Sequence, residues 1–223
     1  MRLLTIKQFM THNYFLRLCS ALVIAISFAV SIFYYRDVFN FILLIIGILM
    51  LGEWRGMTRS NNIISFLGIP IITIPIISLL LVSDMDRNGW ILFGYFCTIW
   101  SVDTAAMIVG KILQGPKLAP RISPNKTISG LLGGCAGASI CVNIIYYFIS
   151  AHGLDLSFRL MLVIYAIVFA ILSQMSDLFI SIFKRKFNIK DTGTLIPGHG
   201  GFLDRFDSII LTAPILAAVI INF

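Results

Sequence analysis

Charge is scarce in this chain. Asp, Glu, Lys and Arg make up 12% of its 223 residues, while 58% are hydrophobic and the mean hydropathy is +0.95. An ordinary soluble domain carries charge on about a quarter of its residues, so that class is excluded and an integral membrane protein is expected. No hydrophilic stretch is long enough for a separate second domain, and residues 1–223 read as one polytopic membrane domain. Within it, 1–90 are N-terminal helices and 91–223 form the half that holds the chemistry. Cysteine is sparse too: Cys19, Cys97, Cys135 and Cys141 lie in apolar runs without CxxC spacing. That argues against a disulfide framework or a zinc site and for small buried apolar side chains. No small-residue cleavage site follows the first apolar run, which Arg2, Lys7 and Arg17 precede, so it reads as an anchor helix. Lys126-Thr127 lacks the glycines and the preceding strand of a Walker loop. There is also no internal repeat of the kind that marks many transporters.

What is present is a series of apolar runs. A spanning helix needs about 20 mostly apolar residues, and about seven segments meet or approach this: 14–35, 37–52, 62–82, 90–110, 128–150, 159–183 and 204–223. The second is short for a full span, and the last contains Pro214, which membrane helices tolerate. With the N-terminus inside, only Arg36, Arg87 and Arg159 of the 17 Lys and Arg residues fall in outside loops. Such asymmetry places the N-terminus and the polar loops on the cytoplasmic face. The fold expected is therefore an all-α integral membrane protein. Part of the +7 net charge is explained simply by topology and attraction to anionic headgroups.

Two carboxylates, Asp103 and Asp177, fall inside predicted spans, and an ionised carboxylate there is costly enough to suggest function. Each precedes the cytoplasmic end of its helix by the same number of residues, which puts both roughly 10 Å below the surface at about 1.5 Å per residue. Asp204 and Asp207, if helical, share a face with side chains roughly 5–6 Å apart. Carboxylates sharing one cavity repel unless cations are present. Magnesium would resolve that conflict. Salt bridges from Arg205 or Lys184 to Asp204 or Asp207 would do so as well, and ion or proton coupling in a transporter remains a third reading.

Two polar segments face the same side. In 111–126, Lys126 and Arg121 are candidates to grip phosphate, and Ser123 or Asn125 could cap the helix that follows. The plainer reading of this loop is positive-inside bias with turn residues. The second segment packs Ser181, Lys184, Arg185, Lys190, Asp191, Pro197, Gly198, His199, Gly200, Gly201, Asp204, Arg205 and Asp207 into a short stretch. Its glycines let backbone N–H groups approach an anion closely, and His199 could donate to a phosphate or shuttle a proton.

In the order and spacing S-x-apolar-K-R-x4-K-D-x-small-x2-apolar-P-x-H-G-G-apolar-x-D-R-x-D, residues Ser181 to Asp207 resemble the signature of the phosphatidate cytidylyltransferases, the CDP-diacylglycerol synthases. Asp103-Thr104-Ala105 ahead of Gly110-Lys111, the stretch Lys117 to Thr127, and Asp177-Leu178-Phe179 resemble the same family in the same order. The resemblance covers residues 98–210. Ile128-Ser129-Gly130 stands where the family usually has Trp-Glu-Gly, Met107-Ile108 replaces an aromatic pair, and Ile180 replaces an acidic residue.

The resemblance implies a nucleotidyltransferase of phospholipid biosynthesis, in which CTP and phosphatidic acid give CDP-diacylglycerol and pyrophosphate. It implies Mg2+ as cofactor, with a second cation left open. Asp177 and Asp204 are then the expected metal ligands, supported by Asp207 and Asp103. Lys126, Arg121, Lys184, Arg185 and Lys190 would neutralise phosphates, and the glycine-rich turn with His199 would hold the nucleotide. Ser123, Asp191, Gly200, Gly201 and Arg205 complete the expected substrate-binding positions. The setting implied is a bacterial inner membrane with the site facing the cytoplasm, membrane lipids as surroundings, no nucleic acid partner, and a homodimer left open. A CTP-dependent polyprenol kinase and an ion-coupled transporter are the rival readings.

Overall fold

The computed structural model describes residues 25–149, 156–193, 195 and 200–222. They form α1 (Ala25–Tyr34), α2 (Arg36–Met57), α3 (Asn62–Met85), α4 (Trp90–Leu113), strands β1 (Lys117–Ala119) and β2 (Ser123–Thr127), then α5 (Ile128–Ile149), α6 (Leu156–Lys186), α7 (Leu203–Phe206) and α8 (Ile209–Asn222). Helices α2 to α6 are long and apolar enough to cross a membrane. The expectation of an all-α membrane architecture therefore holds among the described residues, apart from one small antiparallel hairpin. Cys19 and the first part of the 14–35 segment lie outside them.

Two span boundaries and one helix cap near the site differ from those expected. The second span does not stop at residue 52: α2 continues to Met57 and carries Glu53 and Trp54, both buried, inside it. The last span does not run unbroken from residue 204, because Asp207 and Ser208 separate α7 from the 14-residue α8. The expected cap for α5 was Ser123 or Asn125, but Thr127 Oγ1 accepts the Gly130 N–H at 3.0 Å instead. Ser123 and Asn125 lie in β2, paired with β1, and cannot reach the helix start.

The lateral surface is apolar, with Phe41, Ile48, Ile63, Phe66, Leu132 and Ile140 all exposed. In water such a surface would be a liability, and against lipid tails it costs nothing. The core gathers Phe39, Leu43, Met50 and Trp54 of α2 with Ile72 and Leu79 of α3, Leu92 and Phe96 of α4, and Ile209 and Ala213 of α8. Trp54 donates from Nε1 to the Ile64 carbonyl at 3.0 Å and packs against Gly68, where any Cβ would collide with the indole. The indole also packs against the Phe183 ring of α6, with ring centres 4.9 Å apart.

Helices α4 and α5 pack by a different device. Gly130, Gly133, Gly134 and Gly137 form a small-residue seam against Val102, Ala105, Ala106 and Val109. Without side chains on that face the two backbones approach closely, the usual solution where lipid supplies no hydrophobic drive. The Tyr95 hydroxyl meets Thr212 Oγ1 at 2.7 Å and ties α4 to α8.

These contacts put the ends of α2, α4 and α6, the β-hairpin and the starts of α7 and α8 at one end of the bundle. Arg36, at the start of α2, instead donates to the Asp86 carbonyl at the end of α3, at the opposite end.

Candidate active site

Helix α6 is the spine of the site. Its polar positions near the C-terminus are Gln174, Ser176, Asp177, Ser181 and Lys184, one or two turns apart and facing inward or toward the hairpin. The Asp177 carboxylate takes an ion pair of 2.6 Å from Lys126 of β2, and Ser181 Oγ donates to it at 3.3 Å. Lys126 also donates to the Gln174 carbonyl at 3.3 Å, while Gln174 Nε2 donates to Asp103 Oδ1 of α4 at 3.4 Å. The Asp177 and Asp207 carboxyls are within hydrogen-bonding reach of each other. Asp103, Lys126, Asp177 and Asp207, from four separate parts of the chain, thus join in one network.

Asp204 sits differently. Its Oδ1 takes the Lys184 ammonium at 2.9 Å, and its Oδ2 accepts the N–H groups of Thr192 at 2.8 Å and Gly201 at 3.1 Å. Burial pushes this carboxyl up, but the Lys184 ammonium and the Thr192 and Gly201 N–H groups outweigh burial and hold it below the usual carboxylate range. Asp204 and Asp207 therefore do not share one face toward one ligand. The first points to Lys184 and the glycine-rich segment, the second to Asp177.

Asp207 is buried. Burial raises its carboxyl well above the ordinary range, and the neighbouring Asp177 raises it further. Two adjoining carboxylates cannot both stay ionised in such a setting without a cation. Magnesium is ordinarily held by one or two carboxylates, with phosphate oxygens and water completing its shell. Asp177 and Asp207 fit that pattern, although no group of three His, Cys, Asp or Glu side chains is gathered closely enough among the described residues to hold a metal alone.

Of the other expected residues, Arg185 donates to the Ile122 carbonyl at 3.0 Å and the Ile189 carbonyl at 3.2 Å, tying the hairpin turn to the end of α6. Arg121, Lys190, Asp191 and Arg205 are exposed at the same end, and Ser123 is half-buried in β2. Gly200 has φ of +87°, a left-handed conformation that suits glycine, and a Cβ there would stand 3.1 Å from Asp204 Oδ2. Gly198 and His199 lie outside the described residues. Ile180, where the family pattern has an acidic residue, is fully buried in the apolar core.

Gln174 and Thr192 escaped the sequence reading, and so did two residues that shape the site from further away. Ser176 donates to the Asp207 carbonyl and accepts the Leu211 N–H at 3.1 Å, setting the start of α8. Glu53, the chain's single glutamate, lies one residue past the expected end of the second span and binds Thr192, Phe202 and Leu203. The signal that could have found it was its position between an apolar run and Trp54, where a carboxylate needs a reason to be buried.

The profile of the Cytidylyltransferase family matches residues 61–223. Among individual relatives, a protein named phosphatidate cytidylyltransferase from Rickettsia bellii (strain RML369-C) is 48% identical over 206 residues, covering 92% of this chain and 89% of the relative. One of the same name from Rickettsia felis (strain ATCC VR-1525 / URRWXCal2) is 46% identical over 206 residues, covering 92% and 91%. A more distant one from Staphylococcus haemolyticus (strain JCSC1435) is 41% identical over 137 residues, covering 61% of this chain and 51% of the relative.

Proposed function

This chain belongs to the cytidylyltransferase family and is a nucleotidyltransferase, and from that premise we propose that it forms CDP-diacylglycerol and pyrophosphate from CTP and phosphatidate at the cytoplasmic face of a bacterial inner membrane. A phosphate oxygen of phosphatidate attacks the α-phosphorus of CTP, and the bond to the β-phosphate breaks as pyrophosphate leaves. The nucleophile is already an anion, so the protein's work is to bring two anions together and to stabilise charge on the leaving group.

The observation that carries this reading is the junction of Asp103, Lys126, Asp177 and Asp207 beside the Lys184–Asp204 pair. Lys126 is held by Asp177 at the mouth of this network and can exchange that partner for a phosphate oxygen when nucleotide arrives. Lys184, kept in place by Asp204, presents a second ammonium. Arg121, Lys190 and Arg205 raise the local potential that draws both substrates to this end of the bundle. Asp177 and Asp207 would hold magnesium, which would supply neutralisation of the triphosphate and of the departing pyrophosphate. Asp204, expected from the signature as a metal ligand, is assigned here to anchoring Lys184 and the glycine-rich segment, because both its oxygens already serve that purpose.

The test is CTP-dependent conversion of phosphatidate by the purified protein in detergent micelles, with and without magnesium, wild type beside Asp177→Asn. CDP-lipid and pyrophosphate from wild type only with metal, and none from the variant, is the expected outcome. A phosphorylated polyprenol in place of CDP-lipid would turn the assignment toward a lipid-alcohol kinase.

A further inference from the structure

We infer that Glu53 is a positioning residue for the nucleotide site, acting from α2 through the glycine-rich segment on the Lys184–Asp204 pair. This deepens the functional reading above and rests on it. Glu53 is 7% exposed, at the end of the bundle where the signature residues gather. Its Oε1 accepts the Phe202 N–H at 2.9 Å, and its Oε2 accepts the Leu203 N–H at 2.8 Å and the Thr192 hydroxyl at 3.1 Å. All three donors are neutral, and all belong to the segment that ends in Asp204.

The two carboxylates divide this segment between them. Glu53 takes the Thr192 hydroxyl and Asp204 takes the Thr192 N–H, while Asp204 takes the N–H of Gly201 and Glu53 those of the next two residues. Thr192 is thereby pinned against Gly201–Leu203 from two sides. Asp204 receives its orientation from this arrangement and passes it to Lys184 at 2.9 Å.

Two glycines of the signature gain a physical reason from the same contact. A Cβ on Gly193 would stand 2.7 Å from Glu53 Oε1, and one on Gly201 would collide with Oε2. A carboxylate cannot yield to such a clash without giving up its hydrogen bonds. The small residues that the signature requires at these positions are the socket for a glutamate that lies far upstream of it. An amide could not replace the carboxylate here. Both oxygens accept from backbone N–H groups, so Glu53→Gln must turn an NH2 group toward one of them.

Glu53→Gln is tested by hydrogen exchange and by kinetics. The expected result is faster exchange confined to peptides spanning 189–206, with α3, α5 and α6 protected as in wild type. Alongside it, KM for CTP should rise about tenfold or more while KM for phosphatidate changes less than about twofold. Thr192→Val removes one donor and leaves Glu53 intact, and it should move both readouts in the same direction by a smaller factor. Unchanged exchange at 189–206 in Glu53→Gln overturns the inference. So does local loosening with an unchanged KM for CTP, and so does faster exchange spread over every helix, which would make Glu53 a general support of the fold. If Glu53→Gln yields no folded protein, wild-type behaviour of Thr192→Val overturns it. A wild type that makes no CDP-lipid would refute the functional reading, and the exchange comparison would still decide whether Glu53 holds the segment.

Discussion

Lys184 and Asp204 form an ion pair at 2.9 Å in which each side chain is only 9% exposed. Removing one partner of such a buried pair strands the other charge, which costs about 3–5 kcal/mol. Asp204→Asn should therefore lower the thermal midpoint in detergent as well as abolish turnover, and added magnesium should restore neither. A variant with an unchanged midpoint would return Asp204 to the role of a simple metal ligand.

The same pair has a pH signature. The folded Asp204 carboxyl lies below its usual range, because Lys184 and two N–H groups outweigh the effect of burial. Its contribution is complete above the unfolded carboxylate pKa of about 3.9 and is lost as pH falls through the lower folded value. Thermal midpoints of wild type and Asp204→Asn should stay apart across neutral pH and converge only in acid. A gap that closed near neutrality would mean that another group governs it.

Lys126 is expected to leave Asp177 for a phosphate of CTP. A charge-assisted hydrogen bond is worth about 1.5–3 kcal/mol, so Lys126→Ala should raise KM for CTP by roughly tenfold or more. Steady-state kinetics at saturating phosphatidate would measure it, and an unchanged KM would confine Lys126 to neutralising Asp177.

Ser176 inserts its hydroxyl between the Asp207 carbonyl and the Leu211 N–H. Ser176→Ala leaves buried polar groups without their partner, at about 1–3 kcal/mol, and frees the start of α8 to shift Asp207. Turnover should fall further than stability, which paired activity and melting measurements would detect. Equal losses in both would make Ser176 a packing residue alone.

Gly68 admits no side chain because the Trp54 indole lies directly over it, whereas a Cβ on Gly56 would meet nothing within 4 Å. Gly68→Ala should destabilise by about 1–3 kcal/mol through overpacking, with Gly56→Ala neutral or slightly stabilising. Melting curves of both variants check the α2–α3 contact directly.

Much of this was legible in the sequence because two signals are strong in a membrane chain. Long apolar runs set the helices, and each carboxylate in such a run marks itself by its cost. Asp103, Asp177, Asp204 and Asp207 were all expected at one cavity; Asp177 neighbours Asp207 and is linked to Asp103 through Lys126 and Gln174, while Asp204 is taken up by Lys184. What escaped depends on contacts between distant segments. Glu53 stood just beyond an expected apolar span and drew no reading, and its hydrogen bonds to Thr192, Phe202 and Leu203 are what account for its burial. Asp204 resembled Asp207 by spacing, but the break after α7 turns the two toward different partners. The β-hairpin was invisible because Lys117–Ala119 and Ser123–Thr127 are short, polar and interrupted by prolines.

The glycine seam between α4 and α5 has a mechanical consequence. With Gly133 and Gly137 set directly against Val109 and Ala105, the two helices have no side-chain layer in which to slip, and they behave as one stiff beam. The β-hairpin joins the two helices at the end of that beam and carries Lys126 across to Asp177 of α6.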